Sequence, residues 1–422
     1  MVRGVSQLTA LQVTSRRNFS ALAWHGTFTA AAAALAQPTT ILPAYIVALG
    51  GSPLLVGLML TVLLAGGVVP ELLFAHIVEG RARKRPYFII AVFSRSGAWF
   101  ALGGLTLLFI HSPGAVLLLL LFTFLAAFAI GGSLGSVAYT DIYGMSIASG
   151  ERGRLYGSIQ FLGSFAALGV TYAAGILLQG SGKDPRHVYA LLFLAIGLLM
   201  LCAGIGVLLI REQPIVPQPQ LPFSQYLRQI LTLWRQDASL RALVTIENIA
   251  SLHLMLLPFY MLLAVVRLHV SPSAVAFYTM AQVVGGALSN LLWGVMNDRF
   301  GSASILRACL ALGAILPLLA LVLVTFSPST FFLVFVLLGA AINSRNLAYN
   351  NVLVDLAPVA LRATYTGLVG TFTAPTLVLP LVGGTLIALF GYSSVFASVA
   401  LALLIALFTV GRSRALSVPP RG

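Results

Sequence analysis

Residues 294 to 301 read GVMNDRFG, a short charged segment between two long apolar stretches. Gly294 and Gly301 frame it, and glycine permits both a tight turn and a close approach of two helices. Asp298 can accept hydrogen bonds from a helix N-terminus or pair with an arginine, and Arg299 directly follows it. The segment therefore predicts a tight turn between two membrane helices, with charged groups at the edge of the apolar layer.

The composition agrees with this interpretation. The chain has 422 residues, of which 59% are hydrophobic and 8% are charged, and its mean hydropathy is +0.99. Such a chain is too apolar for a soluble globule. A bilayer core of ~30 Å needs about 20 apolar residues per helix. Twelve stretches are long enough, and they begin near residues 19, 53, 86, 114, 154, 188, 242, 272, 304, 329, 363 and 392. We expect an all-α integral membrane protein with twelve transmembrane helices; strand-type alternation is absent from these stretches.

The net charge of +14 could suggest a nucleic-acid partner, so its distribution matters. When the loops are assigned alternately to two sides, 19 of the 24 Lys and Arg residues fall on one side and three on the other. The majority occupy both termini, the second loop and the central loop. By the positive-inside rule, both termini are cytoplasmic. We therefore predict a multi-pass protein of the cytoplasmic (inner or plasma) membrane and no nucleic-acid partner.

The chain also repeats itself. GSPLLVGL (51–58) returns as VSPSAVAF (270–277), and AYTD (138–141) returns as AYNN (348–351). Six spans followed by six equivalent spans predict a parallel pair of bundles related by an axis along the membrane normal. The predicted domains are a cytoplasmic tail (1–18), a first six-helix bundle (19–211), a cytoplasmic linker with an interfacial amphipathic helix (212–241), a second six-helix bundle (242–411) and a cytoplasmic tail (412–422).

A known family shares these features. GVMNDRFG, between spans eight and nine, and more loosely AHIVEGRARKR (75–85), between spans two and three, resemble the signature loop G-x-x-x-D-[RK]-x-G-[RK]-[RK] of the major facilitator superfamily. The copy at residues 75–85 departs from the pattern at Ala75, Glu79, Gly80 and Ala82. The resemblance covers essentially the whole chain, without indicating a subfamily. It implies two six-helix bundles, arranged about a pseudo-two-fold axis, that rock around a central cavity; we expect a monomer.

The same loops supply candidates for a cytoplasmic gate. Arg299 can pair with Asp355, and Asp298 with Arg362, so that the cytoplasmic side is held shut until these contacts break. The alternative is that these charges only solvate the loop ends and fix the topology. The gating candidates are Glu79, Arg83, Gly294, Asp298, Arg299, Gly301, Asp355 and Arg362.

Charges inside the spans give sharper hypotheses, because each costs several kcal/mol unless it is paired or faces water. Arg95 is expected to pair with Glu71, Asp141 or both. Alternatively, Glu71 or Asp141 takes up a proton during a transport cycle. Glu247 lies beside Asn248 in span seven and is a candidate for proton coupling or for substrate binding.

A polar segment of span ten is the strongest candidate for a binding surface. Residues 343–351 read NSRNLAYNN and hold four of the eight asparagines of the chain. At 100° per residue, one arc of about 160° holds Asn343, Arg345, Asn346, Tyr349 and Asn350, whereas Asn351 lies on another face. We expect this arc, with Glu247, Asn248 and His25, to bind substrate. The alternatives are that the asparagines join helices, that Glu247 neutralises Arg345, and that His25 only bonds a neighbouring helix.

Other functional classes leave no trace in the sequence. There is no Walker loop, no nucleophile and base pair, and no His or Cys pair with metal-ligand spacing. We therefore expect no enzyme activity, no cofactor, no metal and no use of ATP. The predicted function is secondary active, proton-coupled transport of a small solute, or its facilitated diffusion. A drug or metabolite efflux antiporter is an alternative, although the G-x-x-x-G-P-x-x-G-G pattern is missing from span five (157–175). A non-transporting membrane sensor or scaffold is another.

Overall fold

The computed structural model describes residues 2–79, 81–179, 184–212, 232–356 and 362–412. In the first half of the chain these residues form eight helices, numbered here in chain order. They are α1 (Val2–Leu35), α2 (Ile41–Ala48), α3 (Pro53–Val68), α4 (Glu71–Glu79), α5 (Arg85–Leu108), α6 (Gly114–Ser146), α7 (Arg152–Gln179) and α8 (Pro185–Leu209). No strand occurs among the described residues, so the predicted all-α class is confirmed.

The second half is built in the same way. Its helices are α9 (Ala238–Ala250), α10 (Phe259–Leu268), α11 (Pro272–Phe300), α12 (Ser302–Leu323), α13 (Pro328–Leu356), α14 (Arg362–Thr373) and α15 (Leu379–Arg412). A 3-10 turn, Ser251–Met255, joins α9 to α10, and another, Ala374–Val378, joins α14 to α15. Two membrane spans are therefore interrupted in this half.

Ten helical segments of the described chain are long and apolar enough to cross a membrane. The sequence predicts twelve, and the difference arises at two places. The first predicted span begins within α1, which is not one of the ten segments, and residues 36–40 separate α1 from α2. The last candidate, Leu368–Phe408, has 41 residues, whereas about 20 suffice. It is broken at Gly391, where φ is 78°. Twelve spans stays a prediction, and the multi-pass membrane architecture is confirmed.

The described chain divides into two compact units. The first comprises residues 1–37, 48–50 and 62–220, and the second comprises residues 38–47, 51–61 and 221–422. Within the first unit, α5 packs against α8, and the Ser96 hydroxyl donates a 2.8 Å hydrogen bond to the Gly197 carbonyl oxygen. This bond satisfies a buried polar side chain inside the bundle, as the membrane environment requires.

Small residues hold two helices of the second unit together. Helices α11 and α13 cross where Gly285 faces Val336 and Gly339 faces Gln282. A Cβ atom on either glycine would overlap the facing backbone carbonyl oxygen. The crossing therefore requires glycine on both helices, in the manner of small-residue contacts between membrane helices. It fixes the position of α13, the helix that carries the polar segment of span ten.

Residues 38–61 come from the first half of the sequence, yet most of them belong to the second unit. Thr39 donates a 2.8 Å hydrogen bond to the Gln282 side chain, and the hydroxyl groups of Thr40 and Thr279 are 2.7 Å apart. All four residues are buried. The interruption between α1 and α2 thus lies where the chain passes from one unit to the other.

The end of the central linker packs on the second unit. The rings of Trp234 and Phe372 stack with centroids 4.0 Å apart. Asp237 caps α9 by accepting a 2.9 Å hydrogen bond from the Leu240 N–H, and it accepts a second bond of 2.6 Å from the Tyr365 hydroxyl. The predicted interfacial helix falls mostly on residues outside the described chain. For Trp234, the described contact is with a protein ring.

The glycine crossing gives a test of the fold. Replacing Gly339 with leucine should lower the free energy of unfolding by about 1–3 kcal/mol, because the side chain must displace the backbone of α11. Thermal unfolding of the purified protein in detergent measures the change. Gly294→Ala is the matched control in α11, because no atom lies within 4 Å of a Cβ placed there. Equal melting temperatures for the two variants would contradict the close crossing.

Candidate functional site

The signature segment forms the turn between α11 and α12. Gly301 has φ 76° and ψ 170°, a conformation that favours glycine, and its N–H donates a 2.9 Å hydrogen bond to the Asn297 carbonyl oxygen. The Ser304 hydroxyl then donates to the Gly301 carbonyl oxygen at 2.7 Å. Asp298 and Arg299 are exposed at this turn. The glycine at the end of the motif thus has a clear structural reason, whereas Gly294 faces open space.

The predicted gate contacts stay predictions. The side chains of Glu79, Asp355 and Arg362 lie outside the described part of the structure, so neither expected pair can be followed. Arg83 is exposed. The charged gating candidates whose side chains are described, Arg83, Asp298 and Arg299, are therefore exposed.

The first-half copy of the motif instead buries Lys84, a residue that was not among the predicted functional residues. The Lys84 ammonium donates a hydrogen bond to the Val78 carbonyl oxygen and lies 3.6 Å from the Asp141 carboxylate. The backbone N–H groups of Lys84 and Arg85 both donate to the Glu212 carboxylate. A carboxylate at the N-terminus of α5 satisfies otherwise unpaired donors there. Glu212 thereby ties the end of the first bundle to the second loop.

Arg95 does not form the expected ion pair. Its guanidinium lies over the Phe128 ring, with Cζ 4.4 Å from the ring centroid. Asp141 pairs with Lys84, and the Glu71 carboxylate accepts a 3.1 Å hydrogen bond from the Ser136 hydroxyl. The prediction of a pair between Arg95 and one of these carboxylates is wrong within the described structure. An aromatic face stabilises this cation instead.

His25 is held inside the first unit. It is 7% exposed, and Nδ1 lies 3.1 Å from the Ala203 carbonyl oxygen of α8. Nε2 lies 3.5 Å from the Thr29 hydroxyl, and the imidazole packs against the Phe88 ring. These contacts match the alternative in which the histidine joins two helices. His25 therefore has the contacts of a structural residue of the first unit.

In the second unit, residues from two distant spans form a charged cluster. The Arg345 guanidinium of α13 donates a 2.7 Å hydrogen bond from Nη2 to the Ser251 hydroxyl. The same nitrogen lies 3.9 Å from Oε1 of Glu247. Cζ of Arg345 also lies 5.7 Å from the centroid of the Tyr349 ring. We refer to Arg345, Glu247, Asn248 and Ser251 as the charged cluster.

The charged cluster lies where the seventh predicted span is interrupted. Helix α9 ends at Ala250, and the 3-10 turn begins with Ser251. The Ser251 hydroxyl donates a 2.7 Å hydrogen bond to the Glu247 carbonyl oxygen while it accepts the bond from Arg345. Pro258, between the turn and α10, lacks an N–H group to continue the helix. Interrupted backbone at membrane depth is tolerated where it is enclosed by protein or lines a cavity.

The cluster is largely enclosed, and its hydrogen bonding is incomplete. The side chains of Arg345 and Glu247 are 19% and 15% exposed. Among the described residues, Arg345 Nη1, Glu247 Oε2 and Asn248 Oδ1 are buried and have no hydrogen-bond partner. Asn248 uses its Nδ2 group to donate a 3.2 Å bond to the Phe372 carbonyl oxygen.

Two asparagines of the polar segment bind a neighbouring helix. Asn343 donates a 2.8 Å hydrogen bond to the Gly286 carbonyl oxygen and lies 3.2 Å from the Asn290 side chain, both on α11. Asn351 bonds the Asn297 side chain at 3.0 Å. These amides join α13 to α11. The side chains of Asn346 and Asn350 lie outside the described part of the structure, so their assignment to a binding surface stays a prediction.

The comparisons with known proteins agree with this fold. Residues 248–422 match the family model described as Major Facilitator Superfamily. No curated protein matches the chain. Solved structures match it over nearly its full length at low identity. A POT family transporter in complex with 5-aminolevulinic acid is 14% identical with a TM-score of 0.71, and the alignment covers 95% of this chain and 97% of that one.

Two further solved structures match the chain to a similar degree. The nucleoside transporter NupG is 13% identical with a TM-score of 0.66, covering 93% of this chain and 98% of the other. A peptide transporter POT in complex with sulfate is 13% identical with a TM-score of 0.65, covering 93% of each chain. All three are described as transporters. The resemblance predicted from the sequence is thus confirmed for residues 248–422, which match the superfamily model, and the chain as a whole has the fold of these solved transporters.

Proposed function

We propose that this protein carries a small solute across the cytoplasmic membrane by alternating access, with the charged cluster as part of its binding site. The observation that carries the proposal is the contact of Arg345 with Ser251 and Glu247 at an interrupted span. Charges within the membrane are expensive and mark solute or ion pathways. The predicted topology, with both termini cytoplasmic, belongs to the same proposal.

The incomplete hydrogen bonding of the cluster supports binding over a purely structural role. A buried polar group without a partner costs about 1–3 kcal/mol. A cluster built only to join α13 to α9 would gain stability by satisfying Glu247 and Asn248. Retaining unpaired groups at membrane depth is instead typical of a site that completes its hydrogen bonds in another state or with a ligand.

Proton coupling forms a second part of the proposal, with Glu247 as the coupling residue. Its carboxylate is largely enclosed and lies beside a cation, so that gain of a proton would release Arg345. The other candidates have different surroundings. Glu71 accepts a hydrogen bond from an exposed serine, and Asp141 already pairs with Lys84. Facilitated diffusion is the outcome if no gradient drives the flux.

The two alternatives differ in measurable ways. A drug or metabolite efflux antiporter would move its solute outward against protons. A sensor or scaffold would move none.

The neighbouring structures bind or carry a small acid, peptides and nucleosides, by their descriptions, which supports a small polar solute for this chain.

Replacing Arg345 with alanine should lower solute flux about tenfold or more. The physical reason is that a hydrogen bond to a charged group contributes about 1.5–3 kcal/mol, and 1.4 kcal/mol is a factor of ten. Flux is measured in reconstituted vesicles with labelled sugars, amino acids, nucleosides and organic anions. Arg267→Ala is the matched control, because this arginine is exposed at the end of α10. Full flux by folded Arg345→Ala protein would refute the assignment.

Replacing Glu247 with glutamine should abolish accumulation driven by a proton gradient while exchange of solute across the membrane continues. The amide has the same shape as the acid but cannot bind and release the proton. Gradient-driven uptake and counterflow are compared in the same vesicles. Glu71→Gln is the control and should keep the coupling. If Glu247→Gln protein still concentrates solute against its gradient, the coupling residue lies elsewhere.

A further inference from the structure

The charged cluster has unused hydrogen-bonding capacity of both kinds. Arg345 Nη1 is a donor, whereas Glu247 Oε2 and Asn248 Oδ1 are acceptors, and among the described residues none of the three has a partner. All three residues belong to the second unit. Glu247 and Asn248 are adjacent in α9, and Arg345 reaches them from α13. The arrangement thus places a free donor and two free acceptors on one pair of helices.

The two charges balance each other without using these atoms. Arg345 Nη2 is 3.9 Å from Glu247 Oε1, beyond hydrogen-bond distance, and it donates to Ser251 instead. The formal charge of the pair is zero. A ligand could therefore bond to Nη1 and Oε2 without first breaking a hydrogen bond between the two side chains.

The net charge of a matching ligand follows from electrostatics. A simple anion beside Arg345 would also meet the Glu247 carboxylate, and a simple cation beside Glu247 would meet the guanidinium. Like charges held close together at low dielectric are strongly unfavourable. A ligand that carries one charge of each sign, with no net charge, avoids both penalties.

The strength of the bonds separates this ligand from a neutral polyol. A hydroxyl group can donate to Glu247 or accept from Arg345. Bonds in which both partners are charged are shorter and stronger than those with a neutral partner. A ligand carboxylate could accept a hydrogen bond from Arg345 Nη1, and a ligand ammonium could donate to both Glu247 Oε2 and Asn248 Oδ1. All three unpaired atoms would then have a hydrogen-bond partner.

On this basis we infer that the solute is a small zwitterion, with its carboxylate on Arg345 and its ammonium on Glu247 and Asn248. The inference rests on the proposed transport function and adds the chemical class of its substrate. The unpaired atoms are enclosed in this structure, while the Arg345 and Glu247 side chains keep some exposure. Binding therefore requires the spans around the cluster to part, as alternating access provides.

The experiment is a binding panel on the purified full-length protein, read as thermal stabilisation and then as affinity. The probes are the common amino acids and glycine-containing dipeptides. Each is compared with the acid that lacks the ammonium group and with the amine that lacks the carboxylate. Glucose and uridine represent neutral polyols. We expect at least one zwitterion to stabilise the protein, and removal of either charged group to weaken its binding about tenfold or more.

Variants connect the binding to the cluster. Arg345→Ala should abolish stabilisation by the zwitterion. Glu247→Gln removes the negative charge but keeps an oxygen that accepts a hydrogen bond from the ammonium group, so it should weaken binding of the zwitterion about tenfold and still permit exchange at high solute concentration. Asn248→Ala keeps both charges and removes one acceptor. It should weaken binding of the zwitterion about fivefold, within the range of a single hydrogen bond, and leave binding of the acid that lacks the ammonium group unchanged. Because this variant preserves the buried charge pair, it keeps the test decisive if one of the charge variants does not fold.

The outcomes separate the two proposals. If a polyol or a simple anion shows Arg345-dependent binding and flux, the inference of a zwitterionic substrate is wrong, whereas the proposed transport function stands. A panel in which no zwitterion binds overturns the inference as well. If in addition no labelled solute of any class crosses the reconstituted membrane, the proposed function also fails.

Discussion

The cost of placing a charged group inside a membrane is the constraint on which this structure depends. Arg345 lies on an apolar helix, and its guanidinium needs both an opposite charge and hydrogen-bond acceptors there. Glu247 provides the charge and Ser251 provides an acceptor. Both lie on the seventh predicted span, at the point where α9 ends at Ala250. The charge on α13 is therefore balanced at the break in this span.

The rest of the second unit keeps this geometry in place. Helix α13 is held against α11 by a crossing at Gly285 and Gly339 that admits no side chain, and by the amide of Asn343. Helix α9, which carries Glu247, begins at a cap formed by Asp237, and Asp237 also binds Tyr365 of α14. The cluster thus lies between elements fixed by backbone contacts and by capped helix ends. Its own atoms are the ones that stay incompletely bonded.

The sequence predicted the architecture because hydropathy and glycine patterns report directly on membrane helices. The contact between Glu247 and Arg345 was foreseen only as the alternative to substrate binding by these residues. The prediction from sequence failed for Arg95, because periodicity does not show whether a carboxylate or an aromatic ring such as Phe128 faces a cation. Lys84 was missed for a related reason. Its burial depends on Asp141 and Val78, which approach it only in the folded bundle.

The polar segment of α13 shows the same limit. The helical angle places Asn343 on the arc of Arg345, yet its amide binds α11, because an angle around one helix does not identify the neighbour that it faces.

The central claim is that Arg345 and Glu247 act as one buried unit. The direct test is a double-mutant cycle on the free energy of unfolding, using Arg345→Ala, Glu247→Ala and the double variant. The account predicts that the double variant loses less than the sum of the single losses, by about 0.5–3 kcal/mol. Additive losses, within about 0.5 kcal/mol, would contradict it.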